Sequence, residues 1–250
     1  MALLLFGVAF TLSAQEDYHE ATPYFTPEQM PDMKKYLPGP PAEDSEAFKY
    51  DLAVYELGKK IRATDSKAAE AAKAQSDNRI ANLCKQFSDA FGMEISMEKT
   101  PQIYTLLRDG VITCVKSIVG PKEYYHRTRP FAYHKEGTLM PDAEGMLHQN
   151  GSFPSGHTLR GWTTALLLVE INPERAEQLL SLGYQYGQSR VISGYHWQSD
   201  IDASRLIASA TVAKLHTSER CSKQGLLSSS GAWASHCPLP WLSLVAEHSL

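Results

Sequence analysis

The most apolar helix-like run beyond the N-terminal stretch, from Leu159 to Glu170, is entered through the polar turn Gly151-Ser-Phe-Pro-Ser-Gly-His-Thr158, and the rest of the chain is organised around that junction. Pro154 holds φ near its helical value, Ser155 can cap the first turn, and Gly156 lets a ligand approach the backbone closely. The first N–H groups of a helix have no intrahelical acceptor, and together with the macrodipole they favour negative charge. A phosphate fits such a seat, and His157, in the first turn, is placed to pass it a proton. Taken alone the turn is weak evidence, because a Pro-Ser-Gly start is more often a simple cap on a buried helix.

Two further stretches change that reading. In Lys122-Glu-Tyr-Tyr-His-Arg-Thr-Arg-Pro130, Lys122 and Arg129 are seven apart, so a helix ending before Pro130 would carry both cationic heads on one face. In Ser189-Arg-Val-Ile-Ser-Gly-Tyr-His-Trp-Gln-Ser-Asp200, His196 and Asp200 are four apart, which on a helix brings a carboxylate beside an imidazole, with Arg190 just upstream.

With these three motifs in order, the sequence resembles the bacterial class A nonspecific acid phosphatases, within the type 2 phosphatidic acid phosphatase superfamily that also includes vanadium haloperoxidases. The likeness runs from about residue 36 to 216 and takes in Pro40 to Ser45 and Phe87 to Ser96 as well. Gly39 interrupts a usually longer proline run and Phe153 stands where Tyr is common; neither is a reacting group. The resemblance implies that His196 attacks phosphorus to give a phosphohistidine, that Asp200 holds its imidazole in the attacking tautomer, and that His157 protonates the leaving oxygen and then activates water. Lys122, Arg129 and Arg190 would neutralise the phosphoryl oxygens, with Ser155 and the Gly156 backbone adding directional donors. Three cations in one place make a metal unnecessary, so no cofactor is expected, and phosphate or vanadate should inhibit.

The rest of the chain sets the frame. A length of 250 residues with 43% hydrophobic content is enough for a full core, and a net charge of −4 gives no basic excess for a nucleic-acid groove. Residues 1–14 form an uncharged apolar run that reads as a secretory signal cut after Ala14, although the usual basic start is missing and Leu12 fits the cut site imperfectly. That implies a periplasmic or secreted protein with no stable membrane insertion, since no later apolar stretch approaches the length of a span. Residues 15–41 carry six prolines and read as an extended arm docked by Tyr18, Tyr24, Phe25 and Tyr36.

Residues 42–216 read as one all-α bundle with the phosphate site at one end, and no alternating strand pattern competes. Helices are expected from Asp44 to Arg62, over an alanine-rich segment from Ser66 to Phe91 closed by Gly92, and from Thr100 to Val115. Gly120-Pro121 should separate the last of these from the Lys122 helix. Two more are expected from Asn172 to Arg190 and from Asp200 to His216. Residues 131–150 read as a loop over the site, with His134 and His148 as loop polar groups, not metal ligands. Residues 217–250 change character and read as a poorly ordered tail. Cys84, Cys114, Cys221 and Cys237 allow three full pairings that the sequence does not choose between.

The leading function is hydrolysis of small phosphate monoesters, nucleotides included. A vanadium-dependent haloperoxidase using the same pocket and a catalytically inactive phosphate-binding protein are the alternatives, and a homo-oligomer is compatible with either.

Overall fold

The computed structural model describes residues 20–224, so the expected signal at 1–14, Tyr18 and the tail beyond 224 lie outside the described residues. Among the described residues there are helices and turns and no strand, as expected of an all-α chain. Helix α1 (Glu46–Thr64) starts where Ser45 accepts the Phe48 N–H at 3.1 Å. The alanine-rich segment is two helices, α2 (Ser66–Ala74) and α3 (Ile80–Phe91), where the periodicity suggested one. The break lies at Asp77-Asn78: the Asp77 carboxylate accepts the Arg79 backbone N–H at 3.0 Å and grips its guanidinium, while Asn82 donates to the Ala74 and Asp77 carbonyls. Short polar side chains that bond nearby backbone offer it an alternative to helix, and here that alternative wins.

Helix α4 (Pro101–Lys116) runs unbroken through Gly110, and α5 (Val119–Tyr125) follows after Ser117-Ile118. Gly120-Pro121 therefore sits inside the first turn of α5 and does not precede it; proline's missing N–H costs nothing in a first turn. Two short helices, α6 (Pro130–His134) and α7 (Glu144–Leu147), interrupt the expected loop. Then come α8 (Gly156–Ile171), α9 (Ala176–Ile192) and α10 (Gln198–Leu215).

Helix α8 is the centre: it packs most extensively on α9, and next on α10 and α4. Its Leu159, Leu167, Leu168 and Ile171 are buried with Phe87, Phe91, Leu107, Val111, Ile207 and Leu215 in one core. A smaller cluster of Phe48, Tyr55 and Trp197 fixes α1 against the start of α10. Close approach of α8 and α9 depends on Gly161, where an added Cβ would lie 2.4 Å from the Tyr186 Cβ.

The arm is held down at its far end from the site. Thr22 N–H donates to Asp109 and Tyr24 N–H to Thr113, both on α4, while Arg220 reaches the Thr22 carbonyl and the Asp109 carboxylate. Arg220 belongs to residues 219–224, which are helical and bury Cys221, so the start of the segment read as a tail is part of the packed body. Tyr24 and Phe25 pack on the core, whereas Tyr36 is exposed. Cys84, Cys114 and Cys221 are buried, and Cys114 and Cys221 are free thiols. No described helix is long and apolar enough to cross a membrane.

Gly161→Ala should lower stability by about 1–3 kcal/mol, because the methyl overpacks an interface that has no slack. Urea unfolding checks this, with Gly145→Ala, whose Cβ would meet nothing within 4 Å, as the neutral control.

Candidate active site

The end of α9 and the start of α10 build the centre of the site. Arg190 lies in the last turn of α9, and its carbonyl accepts the Tyr195 N–H at 3.0 Å across the Ser193-Gly194 turn, which turns the chain back so that His196 is buried beside it. His196 precedes α10 and is not on it, so the four-residue spacing does not work through a shared helix face. Trp197 is the N-cap and Asp200 is in the first turn; the Asp200 Oδ2 reaches back to the Trp197 N–H at 2.9 Å and to the His196 Nδ1 at 3.1 Å.

The ring atoms of His196 can be assigned by elimination. Arg129 Nη1 lies 3.2 Å from Nε2, and a guanidinium can only donate, so Nε2 carries the lone pair and Nδ1 carries the proton given to Asp200. Burial, then the charge of Arg129, lowers the imidazole to about 3, which keeps it neutral through the acid range. Burial works to raise the Asp200 carboxyl, but the His196 bond, the Arg127 charge and the Trp197 N–H outweigh it and hold the group ionised below the usual carboxylate range.

The cations arrive from separate places. Lys122 is on α5, whose last turn is closed by His126 in the left-handed region at φ 39°; Arg129 follows in extended backbone at φ −73°, ψ 152°. The two do not share a helix face. They meet at the carbonyl of Gly151, which accepts from Lys122 Nζ at 2.7 Å and from Arg129 Nη2 at 3.4 Å. A side chain at Gly151 would put its Cβ 2.8 Å from the Lys122 carbonyl, so glycine is required there by close backbone approach. Arg129 Nε is held by the Leu147 and Asn150 carbonyls, and Arg190 Nη2 by the Ala72 carbonyl at 2.9 Å. Arg190 Nε is buried with no hydrogen-bond partner among the described residues. Burial, then Arg129, brings the Lys122 ammonium down to about 7, and burial brings both arginines to about 10.

The start of α8 closes the site. After a cis Phe153–Pro154 peptide, Ser155 caps the helix as expected: its Oγ accepts from the Thr158 N–H at 3.3 Å and the Thr158 hydroxyl at 2.9 Å, leaving its own proton to donate. Its N–H is spent on Ser204 Oγ at 2.7 Å, so the backbone donors of the turn are those of Gly156 and His157, which have no intrahelical partner. His157 Nε2 donates to the Ser76 carbonyl at 2.9 Å, so Nδ1 is the nitrogen left for proton transfer. Burial, then Arg190 and Arg160, pushes this imidazole well below its ordinary range while the site holds no anion.

These contacts and charges bring the eight residues singled out from sequence together: Arg129, Ser155, Arg190, His196 and Asp200 are buried, and Lys122, Gly156 and His157 are half-buried. His134 stacks on Tyr55 at 4.4 Å, away from these groups, while His148 meets Phe131 edge-on and lines, with Arg127, Arg129 and Gly151, a cavity of about 130 Å³. Among the described residues no group of three or more His, Cys, Asp or Glu could hold a metal ion. Sequence reasoning missed Arg127, which grips Asp200; Asp51, which grips Arg127; Arg160, whose charge reaches both Lys122 and His157; and the carbonyls of Ala72 and Ser76 at the end of α2. Arg127 lies inside a quoted motif and could have been flagged as a third cation there. Asp51 and the α2 carbonyls have no local signal.

Residues 101–220 match the PAP2 superfamily. The chain is 42% identical over 202 residues to a non-specific acid phosphatase of Providencia stuartii, covering 80% of this chain and 81% of that one. It is 37% identical to a non-specific acid phosphatase of Salmonella typhimurium, over 86% of this chain and 85% of the relative. An acid phosphatase of Zymomonas mobilis is 31% identical, over 86% of this chain and 80% of the relative. Similarity of that extent, spanning all three motifs and the buried site they form, places the chain in the non-specific acid phosphatase family of the PAP2 superfamily.

Proposed function

We propose that the protein hydrolyses phosphate monoesters through a phosphohistidine on His196, without a metal ion. The observation that carries this is the lone pair of His196 Nε2, fixed by Asp200 on one side and set beside Arg129 in a pocket that also holds Lys122 and Arg190. Lys122, Arg129 and Arg190 outnumber the Asp200 carboxylate, so the pocket favours a further anion, and a phosphoryl dianion fits it, with Arg190 Nε, the Ser155 hydroxyl and the Gly156 N–H as donors to its oxygens.

The reaction proceeds in two displacements. The Nε2 lone pair forms the P–N bond as the P–O ester bond breaks, and the departing oxygen takes the proton on His157 Nδ1. Water then attacks phosphorus, gives a proton to the same Nδ1, and the P–N electrons return to Nε2 as phosphate leaves. Asp200 takes no proton; it stabilises the charge that forms on the ring during attack. The bound dianion raises His157 from its depressed state, so the acid is charged when substrate is present. The pairing of names among relatives with this site supports small phosphate esters as substrates, and the apolar run at 1–14 supports export to the periplasm or beyond.

Turnover should persist in chelator and be inhibited competitively by phosphate and vanadate; loss in chelator that a divalent ion restores overturns the metal-free scheme. His196→Ala should abolish turnover and trapped phosphoenzyme. His157→Ala should spare binding, slow alkyl phosphates far more than nitrophenyl phosphate, and accumulate an alkali-stable phosphoenzyme on acid quench. Label on a serine would remove the histidine nucleophile. Lys122 is charged below its value of about 7 in the empty site and neutral above it, so kcat/KM should fall as pH rises through that region. Lys122→Met should lower kcat/KM by about 100-fold at acid pH and flatten the alkaline fall. A fall of the same shape in the variant would assign it to another group.

A further inference from the structure

We propose that Arg127 is a positioning residue for the nucleophilic histidine, acting through Asp200 and itself held by Asp51 on α1. The inference rests on the reading of His196 as the nucleophile. Arg127 does not touch the ring. Its Nη1 donates to Asp200 Oδ1 at 2.6 Å and to the Ser199 hydroxyl at 2.8 Å, and its Nη2 donates to Asp51 Oδ2 at 2.7 Å. Asp51 and Asp200 are fully buried, and the Arg127 side chain is 8% exposed. Asp51 is fixed in turn by the backbone N–H and the hydroxyl of Ser199, at 2.8 and 2.6 Å. The guanidinium lies 5.5 Å from the Trp197 ring centre, so it is clamped from its face as well.

A buried ion cluster of this kind is a poor source of stability, because desolvation offsets most of the attraction. What it supplies is direction. Oδ2 of Asp200 serves His196 and the Trp197 N–H, and Oδ1 is pinned by Arg127, so the carboxylate is held at both oxygens and cannot rotate. The carboxylate plane sets the plane of the imidazole, and with it the line along which the Nε2 lone pair meets phosphorus. Only a planar fork can span two carboxylates in this way; a lysine ammonium is a point charge on a flexible stem.

The electrostatic consequence has a definite sign. The charged groups facing Asp200 are Arg127, Arg129 and Lys122, with the neutral His196 as the titratable group beside it, and Asp51 faces Arg127 from α1. Removing the Arg127 charge makes Asp200 easier to protonate, and protonated Asp200 no longer accepts from Nδ1. The acid limb of turnover then moves to higher pH. Removing the Asp51 charge leaves Arg127 to Asp200 alone, so that limb stays in place or moves lower. General damage to the fold would not move the limb in opposite directions.

The test measures kcat, KM and phosphate inhibition against pH with nitrophenyl phosphate for the full chain and for Arg127→Gln, Arg127→Lys and Asp51→Asn. Circular dichroism and thermal unfolding are followed alongside. In Arg127→Gln, kcat should fall between about 10- and 100-fold, and the acid limb should rise by about one pH unit. Phosphate inhibition should stay within about threefold of the parent, because the ligand's own donors are intact. Arg127→Lys should lose about tenfold in kcat with its acid limb unmoved, since charge is kept and the fork is lost. Asp51→Asn should lower kcat without raising the limb. If Arg127→Gln does not fold, the lysine variant decides: kcat within about twofold of the parent overturns the inference. So does an unmoved limb in a folded Arg127→Gln, or a rise shared by Asp51→Asn. A parent protein without turnover overturns the phosphatase reading itself, and this inference with it.

Discussion

The buried carboxylate of Asp200 is the anion on which the site depends. Three cations and two imidazoles are gathered in one water-poor end of the bundle, and each is pushed toward its neutral form by burial and by the others. Asp200 is the charged group that opposes this from within. It also joins the pieces mechanically: its side chain ties His196 and Trp197, and Arg127 through it ties α1. Its backbone carbonyl receives the Ser204 hydroxyl and the Ser155 N–H, which seats the start of α8 on α10.

Three buried or half-buried cations around one carboxylate favour a further negative charge in the pocket. Burying cations without a counter-ion costs free energy, and the core around α8 supplies the stability that offsets it. Close packing of α8 on α9 through Gly161 and Gly183 leaves no room for the helices to adjust, so the ends of those helices are fixed in relation to each other. This is why a pocket of loop and helix-end residues can be precise where the described residues form no strand. In the proposed reaction that precision is spent on two ring nitrogens, Nε2 of His196 and Nδ1 of His157. The identity of each follows from what holds the other nitrogen of the same ring.

Much of this was legible from residue order. The three motifs picked out eight residues that the fold brings together, because the anion seat, the Arg-Pro pair and the His-to-Asp spacing are local patterns, but not Asp51, Arg160 or the α2 carbonyls that hold them. The cap at Ser155 was legible for the same reason: its acceptor role is to an N–H three residues on. The errors share one cause, which is that periodicity was trusted across a stop. Lys122 and Arg129 fit one helix face on paper, yet the helix ends at His126 and the cations converge on Gly151 from different backbones. Ser66 to Phe91 has helical spacing throughout, but Asp77 and Asn78 divert the backbone.

The sequence by itself determined the fold class, the family and the candidate residues of the site, since helical periodicity and short motifs are written in neighbouring residues. Only the tertiary structure decided which atom of each group can act. It showed that Arg129 leaves His196 Nε2 as the lone-pair nitrogen, that the Ser76 carbonyl accepts from His157 Nε2, and that Asp51, nearly 150 positions from Ser199, closes a buried ion cluster behind His196. Proton placement and charge balance are set by partners brought from distant helices into low dielectric, where a single hydrogen bond or unpaired charge outweighs any local preference.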